Sequence, residues 1–186
     1  MVKLRLLQEK DAPFMTEWMH DPEISQYFQK DMKHITLEDA RRFCREAGRT
    51  GRAENGSSVH YAIVEDSADE YMGTISLKSI DLQNRSAEYA VSTRKCAHGK
   101  GIAAQATRLI LREGFEKLNL HRIYLNVLGD NVRAVKFYEK AGFRFEGEFA
   151  ESIMVRGEWK SLKWYAMLQN EFVTGQDTCA GLSQRK

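Results

Sequence analysis

Residues 98–103, His98-Gly99-Lys100-Gly101-Ile102-Ala103, put two glycines one residue apart between a β-patterned run at 87–93 and an apolar-periodic helix. A strand that feeds a helix through such a turn presents successive main-chain N–H groups at the helix start. There the dipole and the missing Cβ atoms suit a pyrophosphate without a large cluster of cationic side chains. The spacing is neither the Gly-Lys-Ser/Thr of a nucleotide-binding P-loop nor a full GxGxxG dinucleotide fingerprint.

The rest of the chain reads as one domain around that junction. At 186 residues, with 42% hydrophobic and 29% charged side chains, it can bury a core without metals or disulfides. Twenty-eight Lys and Arg against 26 Asp and Glu leave a formal +2, too balanced to indicate nucleic acid or an anionic membrane as partner. Cys44, Cys96 and Cys179 are scattered and form no CxxC pair, so neither a zinc site nor a disulfide framework is expected. The charged N-terminal stretch lacks a signal core, and no apolar run approaches the roughly 18 residues of a membrane span. A reduced, cytoplasmic setting is the expectation.

A short strand is expected at 3–7. Asp11 is placed to cap a helix with Pro13 in its first turn and Phe14, Met15, Trp18 and Met19 on its apolar stripe, ending at His20-Asp21-Pro22. Thr36 and Asp39 form a capping-box variant before a second helix carrying Ala40, Phe43, Cys44 and Ala47, with Gly48 as its stop. The stretch 48–58 reads as a surface loop. Strand patterns follow at 59–65, 71–78 and 85–93, with 66–69 as a hairpin turn. The glycine junction opens a helix over about 101–118 with Ile102, Ala106, Leu109 and Ile110 inward. A strand at 121–128, a helix at 131–141 and paired strands at 143–150 and 162–168 complete a domain over 1–170, and 171–186 read as a polar, flexible tail.

The second informative block is Asn126-Val127-Leu128-Gly129-Asp130-Asn131-Val132-Arg133-Ala134-Val135-Lys136-Phe137-Tyr138-Glu139-Lys140-Ala141-Gly142-Phe143. With the glycine junction upstream, residues 59–168 resemble the GNAT superfamily of acetyl-CoA-dependent N-acetyltransferases. Within it the chain is similar to the RimJ/RimL-like branch and to spermidine and amino-sugar N-acetyltransferases. Three segments carry this: Trp18-Met19-His20-Asp21-Pro22-Glu23, Arg85-Ser86-Ala87-Glu88-Tyr89 and Leu120-His121-Arg122-Ile123-Tyr124-Leu125. The resemblance implies an α/β (α+β) fold with a mixed, mostly antiparallel central sheet, flanked by helices and splayed between its fourth and fifth strands, with acetyl-CoA in the opening.

It also implies roles. The amides of His98, Gly99, Lys100, Gly101, Ile102 and Ala103 hold pyrophosphate, with Lys100 adding charge. Val91 offers backbone groups to the pantetheine arm and Asn126 lies beside the thioester. Asn131 faces the CoA arm, and Ala134 and Phe137 pack against it. Cys96 stands where the family commonly has Gln or Arg. Tyr138 matches the position of the general acid that protonates the departing thiolate, and it also suits a core aromatic. A phenol of reference pKa about 10 can supply a proton to a thiolate whose thiol titrates near about 8.5.

An alkyl ammonium is neutral only about once in 2,500 at pH 7, equivalent to roughly 4.6 kcal/mol, so a base is useful. Glu88 is the candidate, against the plainer reading of a strand carboxylate paired with Arg85 or another cation. The expected activity is direct acetyl transfer to a primary amine in a ternary complex. The acceptor is open among an N-terminal α-amine, a polyamine and an amino sugar. Asp21, Glu23, Asp31, Glu38 and Asp39 would make an acidic mouth for a polyamine, or serve as solvated caps. Arg45, Arg49 and Arg52 would face a phosphate or an acidic partner, or remain in solvent. Trp18, Met19, Tyr27 and Phe28 wall the acceptor pocket or form plain core. No metal is expected, edge-strand homodimerisation is open, and the rival class is a non-catalytic acyl-CoA-binding module.

Overall fold

The computed structural model describes residues 1–49, 53–65 and 68–172. Residues 50–52 of the expected loop, including Arg52, residues 66 and 67 of the expected turn, and 173–186 of the expected tail lie outside the described residues. Seven strands, β1 (Val2–Leu6), β2 (Val59–Glu65), β3 (Glu70–Asp81), β4 (Ser86–Thr93), β5 (Arg122–Leu128), β6 (Arg144–Val155) and β7 (Glu158–Leu168), form one sheet in the order β1-β2-β3-β4-β5-β7-β6. Every neighbouring pair is antiparallel except β4–β5, which is parallel. A parallel pair needs a crossover, and the glycine junction begins it. The helices are α1 (Ala12–His20), α2 (Pro22–Ser25), α3 (Leu37–Arg49), α4 (Ile102–Arg112) and α5 (Val132–Lys140).

Alternation along β2–β4 sends opposite faces into two cores. Ile63, Ile75, Leu77, Ala87 and Tyr89 pack with Ile102, Ala106 and Ile110 of α4. Ala62, Val64 and Tyr71 pack with Met15 and Trp18 of α1 and Ala40 and Cys44 of α3. Trp18 Nε1 donates to the Tyr71 hydroxyl at 3.0 Å inside the second core. Past Arg112 the chain makes a π-helical turn over Glu113–Lys117 that buries Phe115, so the helix expected to reach 118 is α4 plus this turn.

Several local expectations are corrected. Gly48 does not stop α3, which runs to Arg49; a Cβ there would lie 2.7 Å from the carbonyl oxygen of Leu7, so the glycine permits the end of β1 to approach the helix. Asp11 does not cap α1. Its buried carboxylate accepts from the Arg5 guanidinium at 2.7 and 2.8 Å and from the Gln8 amide at 2.9 Å. Arg85 lies outside β4 at φ 54°, and its guanidinium donates to the Asn119 carbonyl at 2.6 Å. The hairpin expected at 143–150 and 162–168 is longer, because β6 is mostly exposed and carries no alternation to mark its end. Residues 171 and 172, expected as tail, are anchored: Glu171 pairs with Arg144 at 2.9 Å and Phe172 meets Phe115 at 5.4 Å between ring centroids.

The feature that positions the site is the short β4–β5 ladder. Only Ser86↔Arg122, Ala87↔Ile123 and Glu88↔Tyr124 pair. Beyond Glu88, β4 keeps β3 on one side and opens on the other, which is the splay the resemblance implied.

Candidate active site

The opening forms a cleft of about 600 Å³. The segment between α1 and α3 borders it: Gln29 Nε2 donates to Asn126 Oδ1 at 2.5 Å, while Arg156, in the β6–β7 turn, donates to the carbonyls of Ser25 and Gln26 at 2.5 and 2.8 Å. Of the residues expected at the site, Val91, His98, Ala103, Asn126, Asn131, Ala134, Phe137, Tyr138 and Glu88 all line the cleft.

At its α4 end, Gly99 and Gly101 adopt φ of 75° and 72°, and a Cβ on either would meet no atom within 4 Å. L side chains are disfavoured there by backbone conformation, while the space beside the main chain is open. The first intrahelical bond runs from the Gln105 amide to the Gly101 carbonyl at 3.1 Å, and no side chain caps the helix, so first-turn amides lack helical acceptors. A pyrophosphate fits this cradle through main-chain donors and the helix dipole. Lys100 is exposed and Ile102 is 4% exposed within the α4 core; neither they nor the two glycines line the cleft. The Ile102 side chain packs in the core, the inward place its helical spacing gave it, which leaves its main-chain amide as the part that can face a ligand. Burial and the charge of Arg133 hold the His98 imidazole below its ordinary pKa.

On the opposite wall, Asn131 caps α5 by accepting the Ala134 amide at 3.1 Å. Its oxygen is thus engaged in the cap, and α5 carries Ala134, Phe137 and Tyr138 to the cleft. Tyr138 is half-buried, edge-on to Tyr89 and Phe143 with centroids 6.0 and 6.1 Å away. Its hydroxyl has no hydrogen-bond partner among the described residues, whereas the neighbouring Tyr89 hydroxyl is bonded to Thr107 at 2.8 Å. Burial pushes the Tyr138 phenol up to about 12. Packing and proton donation are compatible at this residue, as the sequence allowed.

Glu88 stands where β4 and β5 part. Its carboxylate accepts from Lys78 Nζ at 2.8 Å across the β3–β4 ladder, so its cation is Lys78; Arg85 is turned to Asn119 and Gln169. Cys96 is exposed and its Sγ lies 4.0 Å from Met72 Sδ. Among the described residues no group of three or more His, Cys, Asp or Glu side chains could hold a metal, and no helix is long and apolar enough to cross a membrane.

The five acids considered as a mouth are each engaged by a partner of their own. Asp21 caps α2 through the Glu23 amide, Glu23 pairs with Lys95 at 2.7 Å, and Asp31 accepts from the Lys33 amide. Glu38 pairs with Arg45 and Asp39 with Arg42. Arg45 also reaches Glu9, at 3.2 Å. Trp18 and Met19 are both core and wall, and Tyr27 and Phe28 line the cleft. Sequence reasoning missed Gln29, Lys78 and Arg133. Arg133 sits two residues after Asn131, inside the block that carries the resemblance, and was findable; Gln29 contacts a residue 97 positions away and leaves no local signal.

The acetyltransferase (GNAT) domain pattern matches residues 2–144, well over half of the chain. Spermidine N(1)-acetyltransferase of Vibrio cholerae serotype O1 is 34% identical over 111 residues, which span 60% of this chain and 64% of that protein, under two thirds of its length. The spermidine N(1)-acetyltransferase of Escherichia coli K12 is 27% identical over an alignment covering 95% of this chain and 91% of that one. A putative ribosomal N-acetyltransferase, YdaF of Bacillus subtilis, is 33% identical over 54% of this chain and 55% of its own. Among solved structures, the Vibrio cholerae spermidine N-acetyltransferase in complex with CoA and spermine superposes with a TM-score of 0.79 at 25% identity, covering 91% of this chain and 96% of that one. The splayed parallel pair, the glycine-turned helix start and these likenesses agree, and the chain belongs to the GNAT family of N-acetyltransferases.

Proposed function

We propose that acetyl-CoA lies in the β4–β5 cleft with its pyrophosphate on the amides of residues 98–103, and that a primary amine attacks the thioester directly. The observation that carries this is the end of the ladder at Glu88↔Tyr124, which opens the cleft with the unpartnered Tyr138 hydroxyl in its wall. β4 main-chain groups past Glu88, including those of Val91, are free on the cleft side to align the pantetheine arm and to stabilise a developing oxyanion. Asn126 and Asn131 flank the arm, and Ala134 and Phe137 pack against it.

In this reading Glu88 takes the acceptor's proton, directly or through water, once its hold on Lys78 loosens, and Tyr138 gives a proton to the CoA sulfur. Holding both substrates in one cleft supplies much of the acceleration, because the encounter becomes intramolecular. The spermidine acetyltransferase relatives support a small-molecule amine as acceptor, and residues 1–170 as one catalytic domain.

The test is CoA-thiol release from acetyl-CoA against polyamines, amino-sugar nucleotides, Ala- and Ser-starting peptides and arylalkylamines, with mass detection of product. Release with any amine supports transfer. A melting temperature raised by CoA with no release from any amine would favour the non-catalytic acyl-CoA-binding module.

A further inference from the structure

The cleft adjoins a second chamber of about 530 Å³, and the two share Trp18, Lys30, Met32 and the β4 residues Ala90, Val91 and Ser92. We propose that this chamber is the acceptor pocket and that it selects a primary amine carried on an apolar body of aromatic size over a polycationic amine. The inference rests on the acetyl-transfer reading above.

The shared wall supplies the first argument. A molecule in the chamber borders the same three β4 residues that border the acetyl-CoA cleft, so an amine at its inner end meets the thioester while its body stays in the chamber. The volume lies within the usual range for a small-molecule site. The lining supplies the second: Met15, Met19, Met32, Ile35 and Phe43 accompany Trp18. Thioethers and rings of this kind adapt to a flat apolar group and gain from its burial.

Charge supplies the third. Lys30 and Arg42 stand against Asp39 and Glu46, so the chamber has no surplus of negative charge. The Asp39 carboxylate is engaged by the Thr36 amide and hydroxyl, at 3.0 and 2.6 Å, and by Arg42 at 2.6 Å. In the adjoining cleft Glu23 is held by Lys95 and Glu88 by Lys78. A polyamine brings two or more further ammonium groups, each needing an acid that is not already neutralised, and their desolvation beside Lys30 and Lys78 is unfavourable.

His60 refines the class. Its Nδ1 lies 2.7 Å from Ser76 Oγ and its ring sits edge-on to Phe43 at 5.0 Å. Nε2 has no protein partner among the described residues, so this wall offers a hydrogen bond to a hydroxyl, amide or ring N–H on the acceptor.

The experiment compares kcat/KM for 2-phenylethylamine, tryptamine and phenylalanine amide with that for spermidine and spermine, using wild type, Phe43→Ala and Ile35→Ser. Ile35 lies in the segment before α3, so its variant alters the chamber without disturbing a helix. The aryl amines are expected to lead by about ten-fold or more, and each variant to erode that lead about ten-fold through KM. The rise in melting temperature with CoA, which reports folding and the separate cleft, should be kept. Preference for spermidine, or unchanged aryl-amine KM in both variants, overturns the pocket assignment and leaves acetyl transfer standing. No thiol release from any amine overturns both.

Discussion

Lys78 Nζ donates to Glu88 Oε1 at 2.8 Å, and the two residues stand in direct register on β3 and β4 at the last rung before β4 and β5 separate. A carboxylate in that place both aligns the strands and lies where an acceptor's proton must go. The two roles separate in a pH profile. Glu88→Gln is expected to lower kcat about 100-fold near pH 7 with acetyl-CoA KM unchanged. The deficit should shrink as pH approaches the acceptor's own pKa, because the amine then arrives deprotonated. Lys78→Met removes the carboxylate's hydrogen-bonded partner, so if the pair serves strand alignment it should lower the melting temperature as Glu88→Gln does. A deficit independent of pH would assign the pair to strand alignment alone.

Tyr138→Phe removes a hydroxyl that has no hydrogen-bond partner among the described residues, so the folded state should lose less than about 1 kcal/mol. Turnover should nevertheless fall about 100-fold, with CoA affinity unchanged. Because burial pushes the phenol up to about 12, it stays protonated across the assayable range and contributes no alkaline limb below that pH. Steady-state kinetics beside a CoA titration decide this; equal loss in both would mean the ring, and not the hydroxyl, is what the site needs.

The parts of the site legible in the sequence are those fixed by local chemistry. Thr36 and Asp39 do exchange a capping box, and the helix expected over 131–141 forms as Val132–Lys140. Local signals misled where a distant contact decided the outcome. Gly48 reads as a helix stop, yet it is a glycine because Leu7 approaches from another element. Gln29 borders the cleft through Asn126, and Ser25 and Gln26 are held by Arg156 about 130 positions away. No periodicity encodes such ties. The partner of Glu88 was likewise unreadable, since it is the strand register that sets Lys78 of β3 opposite it.

Gly101→Ala should separate backbone strain from ligand contact. At φ 72° an alanine is disfavoured by roughly 1 kcal/mol, although its Cβ meets no protein atom. Gly99→Val adds a branched side chain on the same open side. Both variants are expected to fold with a modestly lower melting temperature and to bind CoA at least about ten-fold more weakly, Val the more so. Calorimetric titration with CoA checks this, and full affinity in Gly99→Val would contradict the cradle.

His60 and His98 are both held below the ordinary imidazole pKa of 6.5, His60 by burial and the charge of Lys78, His98 by burial and that of Arg133. In the unfolded chain each protonates near 6.5, so below that pH the unfolded state binds more protons than the folded one, and stability must fall as pH falls. The contribution is complete above pH 6.5 and is lost on the way down toward the folded-state values. Denaturant unfolding between pH 7.5 and pH 5 should therefore show a falling midpoint in the wild type. His60→Asn keeps a group able to bond Ser76 but cannot titrate, so its decline should be shallower. A His60→Asn curve parallel to wild type would mean that His60 is neutral in neither state preferentially and that its burial does not govern its charge.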